Sequence, residues 1–248
     1  MAPPPGFRWS VVIPAYNEAH RLPRYLREVV SYLDGRDEPY EILVVDDGST
    51  DDTAARVGEE RAAHPAVRLL SLGTNQGKGA AVRAGMLHAT GALRLMTDAD
   101  GATPIGEVKR LEAALHGGAD LAVASRALRD PSVVVRARLV RRLSGRVFIV
   151  IARALGVRQV VDTQCGFKLF RGAVADELFG ALRTNGFGFD VELVLRAERR
   201  GYRIAEIPVN WTDQPGSKVG VFTDGPRMLA QIVAARMRLS REGRKGRR

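Results

Sequence analysis

Cysteine is nearly absent from this chain: Cys165 is the only one. A single thiol builds no internal disulfide framework, which excludes disulfide-stapled scaffolds and fits a reducing compartment. Long apolar runs are missing too. The longest, Val147–Ala152, falls far short of the roughly 20 residues that a spanning helix needs, so the sequence predicts no membrane-crossing segment. Met1 to Ser10 holds three prolines and no apolar stretch, which does not read as a signal peptide. Lysine is scarce, with five against 33 arginines. What is present is ordinary for a folded protein: 45% hydrophobic and 27% charged residues in 248, enough for one large domain or a domain with an appendage.

The net charge of +10 is concentrated in two places. Residues 136–158 hold seven arginines and no acid, and residues 227–248 hold eight basic side chains against Glu242. Each segment carries +7, which leaves the rest of the chain at −4. Such segments attract a polyanion, whether anionic lipid, nucleic acid or a phosphate-bearing substrate. A solvated basic tail is the plain alternative for 227–248. Neither aromatic interleaving nor a nucleic-acid motif accompanies the arginines, and this argues against a nucleic-acid partner.

Short β-type runs alternate with helical patterns through the first half. Trp9–Pro14, Glu41–Asp46, Val67–Leu72, Leu93–Asp98 and Asp120–Ser125 read as strands, with helices near 18–33, 52–63, 77–90 and 104–116. This alternation predicts an α/β fold, a mostly parallel sheet with helices on both faces. Such sheets bind ligands beyond the carboxyl ends of their strands. Asn17-Glu18, Asp46-Asp47, and Asp98 with Asp100 all fall there. In the second half, residues 137–156 read as an amphipathic helix. Leu139, Val140, Leu143, Val147, Val150, Ile151 and Ala154 share one face, Arg138, Arg141, Arg142, Arg146 and Arg153 lie opposite or at its flanks, and Phe148 and Ile149 fall toward the polar side. A loop and strand over Val160–Phe170, a helix near 190–200, a strand at Ile204–Trp211 and a basic helix from about 225 follow.

Asp98-Ala99-Asp100 is the central chemical feature. Two carboxylates just past a strand can share one hard divalent cation, Mg²⁺ or Mn²⁺, with diphosphate oxygens and water completing its shell. Asp100-Gly101 alone also suits a turn. In Asp46-Asp47-Gly48-Ser49-Thr50, Ser49 or Thr50 can cap the helix near 52, while Asp46 or Asp47 can accept from a ring N–H of uracil or guanine. Asn75-Gln76-Gly77-Lys78-Gly79 opens a helix; the glycines allow close backbone approach and Lys78 adds charge near phosphates. Lys78, Lys168 and Lys218 each sit within a Gly-containing motif, in a sequence that elsewhere writes arginine. A compact ammonium is suited to such places.

Val11-Val12-Ile13-Pro14-Ala15-Tyr16-Asn17-Glu18, the Asp46–Ser49 turn, Asn75–Gly79 and Asp98-Ala-Asp100 together resemble the family 2 glycosyltransferases, in order and spacing over nearly the whole chain. Asp162–Phe170, Phe189-Asp-Val-Glu-Leu193, Ile204–Trp211 and Gly216-Ser-Lys218 are similar to the dolichyl-phosphate β-glucosyltransferases within that family. Related mannosyltransferases carry Gln where this chain has Ala102, and Ser-Gly-Phe-Arg where it has Cys165-Gly-Phe-Lys168. Both departures favour UDP-glucose over GDP-mannose. Eukaryotic members of the glucosyl group carry an N-terminal membrane helix that this sequence does not show.

The resemblance implies a GT-A (Rossmann-like) domain over 1–224, with 136–158 as an interface helix, and a basic C-terminal helix and tail over 225–248. It implies inverting transfer of a hexose from a nucleotide sugar to a polyprenyl phosphate, by an enzyme peripheral to the cytoplasmic face of an anionic membrane. Pro14, Tyr16, Glu18, Asp46, Asp47, Lys78 and Asp98 would bind the nucleotide sugar. Asp98 and Asp100 would hold the metal, with Lys218 near the diphosphate. Arg126, which matches the family position, Lys168 and one or more of the basic-helix residues Arg138, Arg141 and Arg142 are the candidates to meet the acceptor phosphate, which is already ionised and needs positioning more than a base. Asp190 would be a base only for a hydroxyl acceptor, and is otherwise a helix cap or supporting residue. The rival readings are GDP-mannose as donor, a soluble family 2 enzyme acting on a saccharide hydroxyl, and a non-enzymatic polyanion-binding module.

Overall fold

The computed structural model describes residues 7–137, 139–216 and 221–245, and side chains there except at 139–146, 221–224 and 243–245. Arg138 and Lys218 therefore lie outside the described residues, as do the side chains of Arg141 and Arg142.

Seven strands form one sheet. β1 (Trp9–Ala15), β2 (Tyr40–Asp46), β3 (Val67–Ser71), β4 (Leu93–Met96), β5 (Leu121–Ser125), β7 (Lys168–Arg171) and β8 (Ile204–Pro208) stand in the order β3-β2-β1-β4-β7-β5-β8. All run parallel except β7, which lies antiparallel between β4 and β5. Its register sets Lys168 opposite Met96 on one side and Val123 on the other. The reversal matters: β7 starts at the edge where its neighbours end, so residues 166–168 reach the rim that carries Asp98. A further two-stranded sheet joins β6 (Val135–Arg136) to β9 (Trp211–Thr212).

The central strands are apolar on both faces because both faces are covered. α1 (Leu22–Asp34), α2 (Thr53–Ala63) and α4 (Val108–His116) share one core with Val11, Ile13, Ile42 and Val44. α3 (Lys78–His88), α6 (Gly172–Ala181) and α7 (Phe189–Arg199) share the other with Val12, Leu43 and Val45. In α1, Leu22, Leu26, Val29, Val30 and Leu33 recur at helical spacing and are all buried, each contributing about 1.5–3 kcal/mol by leaving water. Pro23 falls in its first turn, where a missing N–H costs nothing.

Two helices correct the expected pattern. In α5 (Leu139–Ala154), Phe148 is buried in the second core together with Ala152, while Val147 and Val150 are 55% and 67% exposed. Phe148 is thus the core contact and no break in the helix's pattern. α8 (Val221–Lys245) runs without interruption through residue 225 and buries Ile232, Ala235 and Leu239.

Candidate active site

Three loops at the carboxyl edge are pinned to one another by short polar side chains. After β1, Asn17 takes a left-handed conformation (φ 54°). Its Oδ1 accepts from the Thr50 N–H at 2.7 Å and the Asp51 N–H at 3.3 Å, and its own N–H donates to Ser49 Oγ at 2.9 Å. After β2, Gly48 adopts φ 71° against the next loop, where a Cβ would stand 2.5 Å from the Thr74 carbonyl carbon; only glycine meets both demands. Asp47 then accepts from the Gln76 N–H at 2.8 Å and the Gly77 N–H at 2.9 Å. Each Asp47 oxygen is spent on shaping that loop, and Asp46, also buried, accepts from the Ser49 N–H at 3.0 Å. Of the two aspartates expected on the nucleotide base, Asp47 is thereby a builder of the turn. Ser49 and Thr50 do not cap α2.

The loop that Asp47 shapes delivers Lys78 to the first position of α3, and its Nζ donates to Asp98 Oδ1 at 2.6 Å. Asp98 follows β4, which ends at Met96 and leaves Asp98 to Asp100 in the loop. Behind the Asp98 carboxylate lies Gly166, where a Cβ would collide with all three carboxylate atoms. Asp100 Oδ1 accepts from the Ala102 N–H at 3.0 Å, and its Oδ2 stands 3.7 Å from Arg21 Nη1. Arg21 grips both Glu18 oxygens and donates to the Pro215 carbonyl at 3.1 Å. Nothing in the sequence singles out Arg21; its position, three residues beyond Glu18, is the only clue. Pro14 is the penultimate residue of β1, and Tyr16 beyond it is 37% exposed.

Lys168 and Asp190 form the floor. Lys168 is fully buried, and its Nζ donates to Asp190 Oδ1 at 2.5 Å and to the Cys165 carbonyl at 2.7 Å. It acts on the rim through Asp190 and through its charge, and offers no surface to an acceptor phosphate. Asp190 is the second residue of α7 and makes no cap hydrogen bond. Arg126, just past β5, is gripped by Asp162 through Nε at 2.7 Å and Nη2 at 2.8 Å, and stacks on Trp211 at 5.4 Å. Its Nη1 has no hydrogen-bond partner among the described residues, and the side chain is 30% exposed.

Charge settles these groups in opposite directions. Burial raises Asp98, but Lys78, with Lys168 and Arg126 behind it, outweighs burial and holds the carboxyl below its usual range. Burial and then the Asp98 charge push Asp100 up, and burial pushes Asp190 up against the pull of Lys168 and Lys78. Burial lifts the Cys165 thiol to about 11, which leaves it unreactive. An Asp100 carboxylate disfavoured by burial and a like charge is the condition a bound divalent cation relieves. The hard oxygen donors of Asp98 and Asp100 therefore fit Mg²⁺ or Mn²⁺. Among the described residues no third acid, histidine or cysteine joins them.

The family model described as Glycosyl transferase family 2 matches residues 10–179. A dolichyl-phosphate beta-glucosyltransferase from Dictyostelium discoideum is 37% identical over 241 residues, covering 92% of this chain and 74% of that protein. One from Saccharomyces cerevisiae is 36% identical over 246 residues, covering 92% and 74%. The structure is similar to glucosyl-3-phosphoglycerate synthase from Mycobacterium tuberculosis in complex with Mn²⁺ and UDP-glucose, at a TM-score of 0.68 and 22% identity over 93% of this chain and 78% of that one. The mostly parallel sheet with helices on both faces is the GT-A fold.

Proposed function

The chain belongs to glycosyl transferase family 2, and from that premise we propose that it transfers glucose from UDP-glucose to a polyprenyl phosphate of the dolichyl type. One observation carries the reading: relatives named as dolichyl-phosphate beta-glucosyltransferases match more than nine-tenths of this chain at 36–37% identity. The site supports it. Asp98 and Asp100 would hold Mg²⁺ or Mn²⁺, which when bound neutralises charge on the leaving diphosphate. Lys78 adds a positive charge at the start of α3. Ala102, whose carbonyl accepts from the Thr212 N–H at 2.9 Å, stands where the mannosyl group has a larger glutamine, which favours glucose over mannose.

The setting of Asp190 supports a phosphate acceptor. A base for a sugar hydroxyl must reach that hydroxyl, yet Asp190 is buried and bonded to Lys168. A lipid phosphate needs no base. It needs a cation to orient it, and the open Nη1 of Arg126 supplies one. Lys218 and one or more of Arg138, Arg141 and Arg142 join this proposal on the sequence alone. No helix among the described residues is long and apolar enough to cross a membrane; the proposed attachment is peripheral, on an anionic cytoplasmic face, through α5 and α8.

The test is to incubate the purified protein with UDP-glucose or GDP-mannose, with and without a polyprenyl phosphate, and with a chelator. Lipid-dependent, chelator-sensitive transfer from UDP-glucose is expected. Equal use of GDP-mannose would move the chain to the mannosyl group, and transfer to a saccharide without lipid would favour the soluble reading.

A further inference from the structure

Of the two rim carboxylates, Asp98 already holds a side-chain cation of its own, while Asp100 has only one that Glu18 also holds. Lys78 sits on Asp98 at 2.6 Å, and Arg21 stands 3.7 Å from Asp100. The two cations are held differently. Arg21 grips both oxygens of Glu18, as Arg126 grips both of Asp162, and such forks stay closed. Lys78 makes a single contact through an ammonium on a flexible stem, and Asp190 lies within the reach of its charge as a second carboxylate. The Asp98 carboxylate has no retreat, because Gly166 backs it. In a chain with 33 arginines and five lysines, the contact with Asp98 is made by the cation that can let go.

We infer that Lys78 is the free site's own cation, seated on Asp98 until a nucleotide diphosphate draws it off, so that the divalent cation enters with the nucleotide and not before it. This rests on the proposed metal site at Asp98 and Asp100. A cation arriving alone finds Asp98 already occupied and must displace an ammonium from it. A diphosphate brings the negative charge that gives Lys78 a new partner and frees the carboxylate. The ordering follows from the competition of metal and ammonium for Asp98 and needs no movement of the backbone.

Mn²⁺ uptake read by the loss of its free-ion EPR signal tests this without turnover. The proteins are the wild type, Lys78→Met and Lys78→Gln, each with and without saturating UDP, with folding checked by circular dichroism. The wild type should bind Mn²⁺ weakly alone and at least tenfold more tightly with UDP. Either substitution should raise the affinity for Mn²⁺ alone tenfold or more and shrink the enhancement by UDP. If both variants bind Mn²⁺ alone no better than the wild type while UDP still tightens it, the inference is overturned and the metal site stands. If no protein takes up Mn²⁺ even with UDP, the metal site itself is wrong and the inference falls with it.

Discussion

Gly166 lies so close beneath the Asp98 carboxylate that a single methyl group has no room. An alanine there displaces either the carboxylate or the start of β7, and the carboxylate is the easier to move. Gly166→Ala should therefore cost roughly a hundredfold in turnover, the scale on which an ångström of misplacement acts, with little change in melting temperature. Unchanged kinetics would show that Asp98 need not sit where it does. Arg126 calls for a different test, because its partner Asp162 is 7% exposed and takes up two of its donors. Asp162→Asn should destabilise by about 2 kcal/mol, less than the 3–5 of a fully buried pair, since Arg126 keeps partial exposure. The pairing holds Asp162 below its usual range. Its contribution is therefore complete at neutral pH, and is lost only as pH falls below about 4 toward the lowered value. A urea titration at pH 7 and at pH 3 checks this: the gap between wild type and variant should be full at the first and narrower at the second. Asp98, Asp100 and Lys78 were legible in the sequence because each lies in a compact local motif. Arg21, Gly166 and the partner of Arg126 were not, because their meaning depends on contacts made across the fold.

Among the elements, the early strands were legible to within a residue or two, since parallel strands buried on both faces are unbroken apolar runs bounded by polar residues. The direction of β7 was not, because antiparallel insertion leaves no mark on four residues. Nor was α6, whose sequence Gly-Ala-Val-Ala-Asp-Glu-Leu-Phe-Gly-Ala lacks a clear polar stripe. α8 shows how an element remote from the rim still shapes it. Glu192 of α7, fully buried, accepts from the Thr184 N–H at 2.9 Å, from Arg196 at 2.8 Å and from Arg238 of α8 at 3.1 Å. Gln231 of α8 accepts from the Gly188 N–H at 3.1 Å, and the Asn185 carbonyl accepts from the Ala80 N–H at 3.0 Å, in the first turn of α3. The 184–188 segment is thus a strap between α8 and the helix that carries Lys78. Glu192→Ala leaves two arginines facing a void and should cost about 4 kcal/mol. At 2–4 °C per kcal/mol for a chain of this size, the melting temperature should drop by roughly 10 °C. A shift within 2 °C would mean that the network is dispensable.

At the scale of the whole molecule, charge and apolar exposure coincide on the same two helices. Leu229, Val233 and Met237 follow one another at four-residue spacing along α8 and are 41%, 38% and 53% exposed. Among the described side chains of α5, Val147 and Val150 are apolar and exposed. Gly156, two residues beyond the end of α5, lies against α8, where the Arg236 guanidinium stands 3.3 Å from where its Cβ would be. The two helices overlap the two segments, 136–158 and 227–248, that carry +7 each above a body at −4. Apolar side chains flanked by arginine suit the boundary between lipid headgroups and acyl chains, where each basic residue adds about 1 kcal/mol. Removing residues 227–248 would be a poor test, because Ile232, Ala235 and Leu239 belong to the core. Substitutions on the outer face avoid this. Val233→Ser with Met237→Ser removes the apolar contribution, and Arg241→Glu reverses one charge while leaving the buried face intact. Sedimentation with anionic vesicles should show wild-type binding that salt releases. The serine pair should lower binding at every salt concentration, because burial of apolar surface is not screened. Arg241→Glu should lower it chiefly at low salt, where charge attraction reaches furthest. If neither variant differs from the wild type, or if the wild type binds no vesicles, the membrane attachment is wrong and a soluble acceptor becomes the better reading of the site.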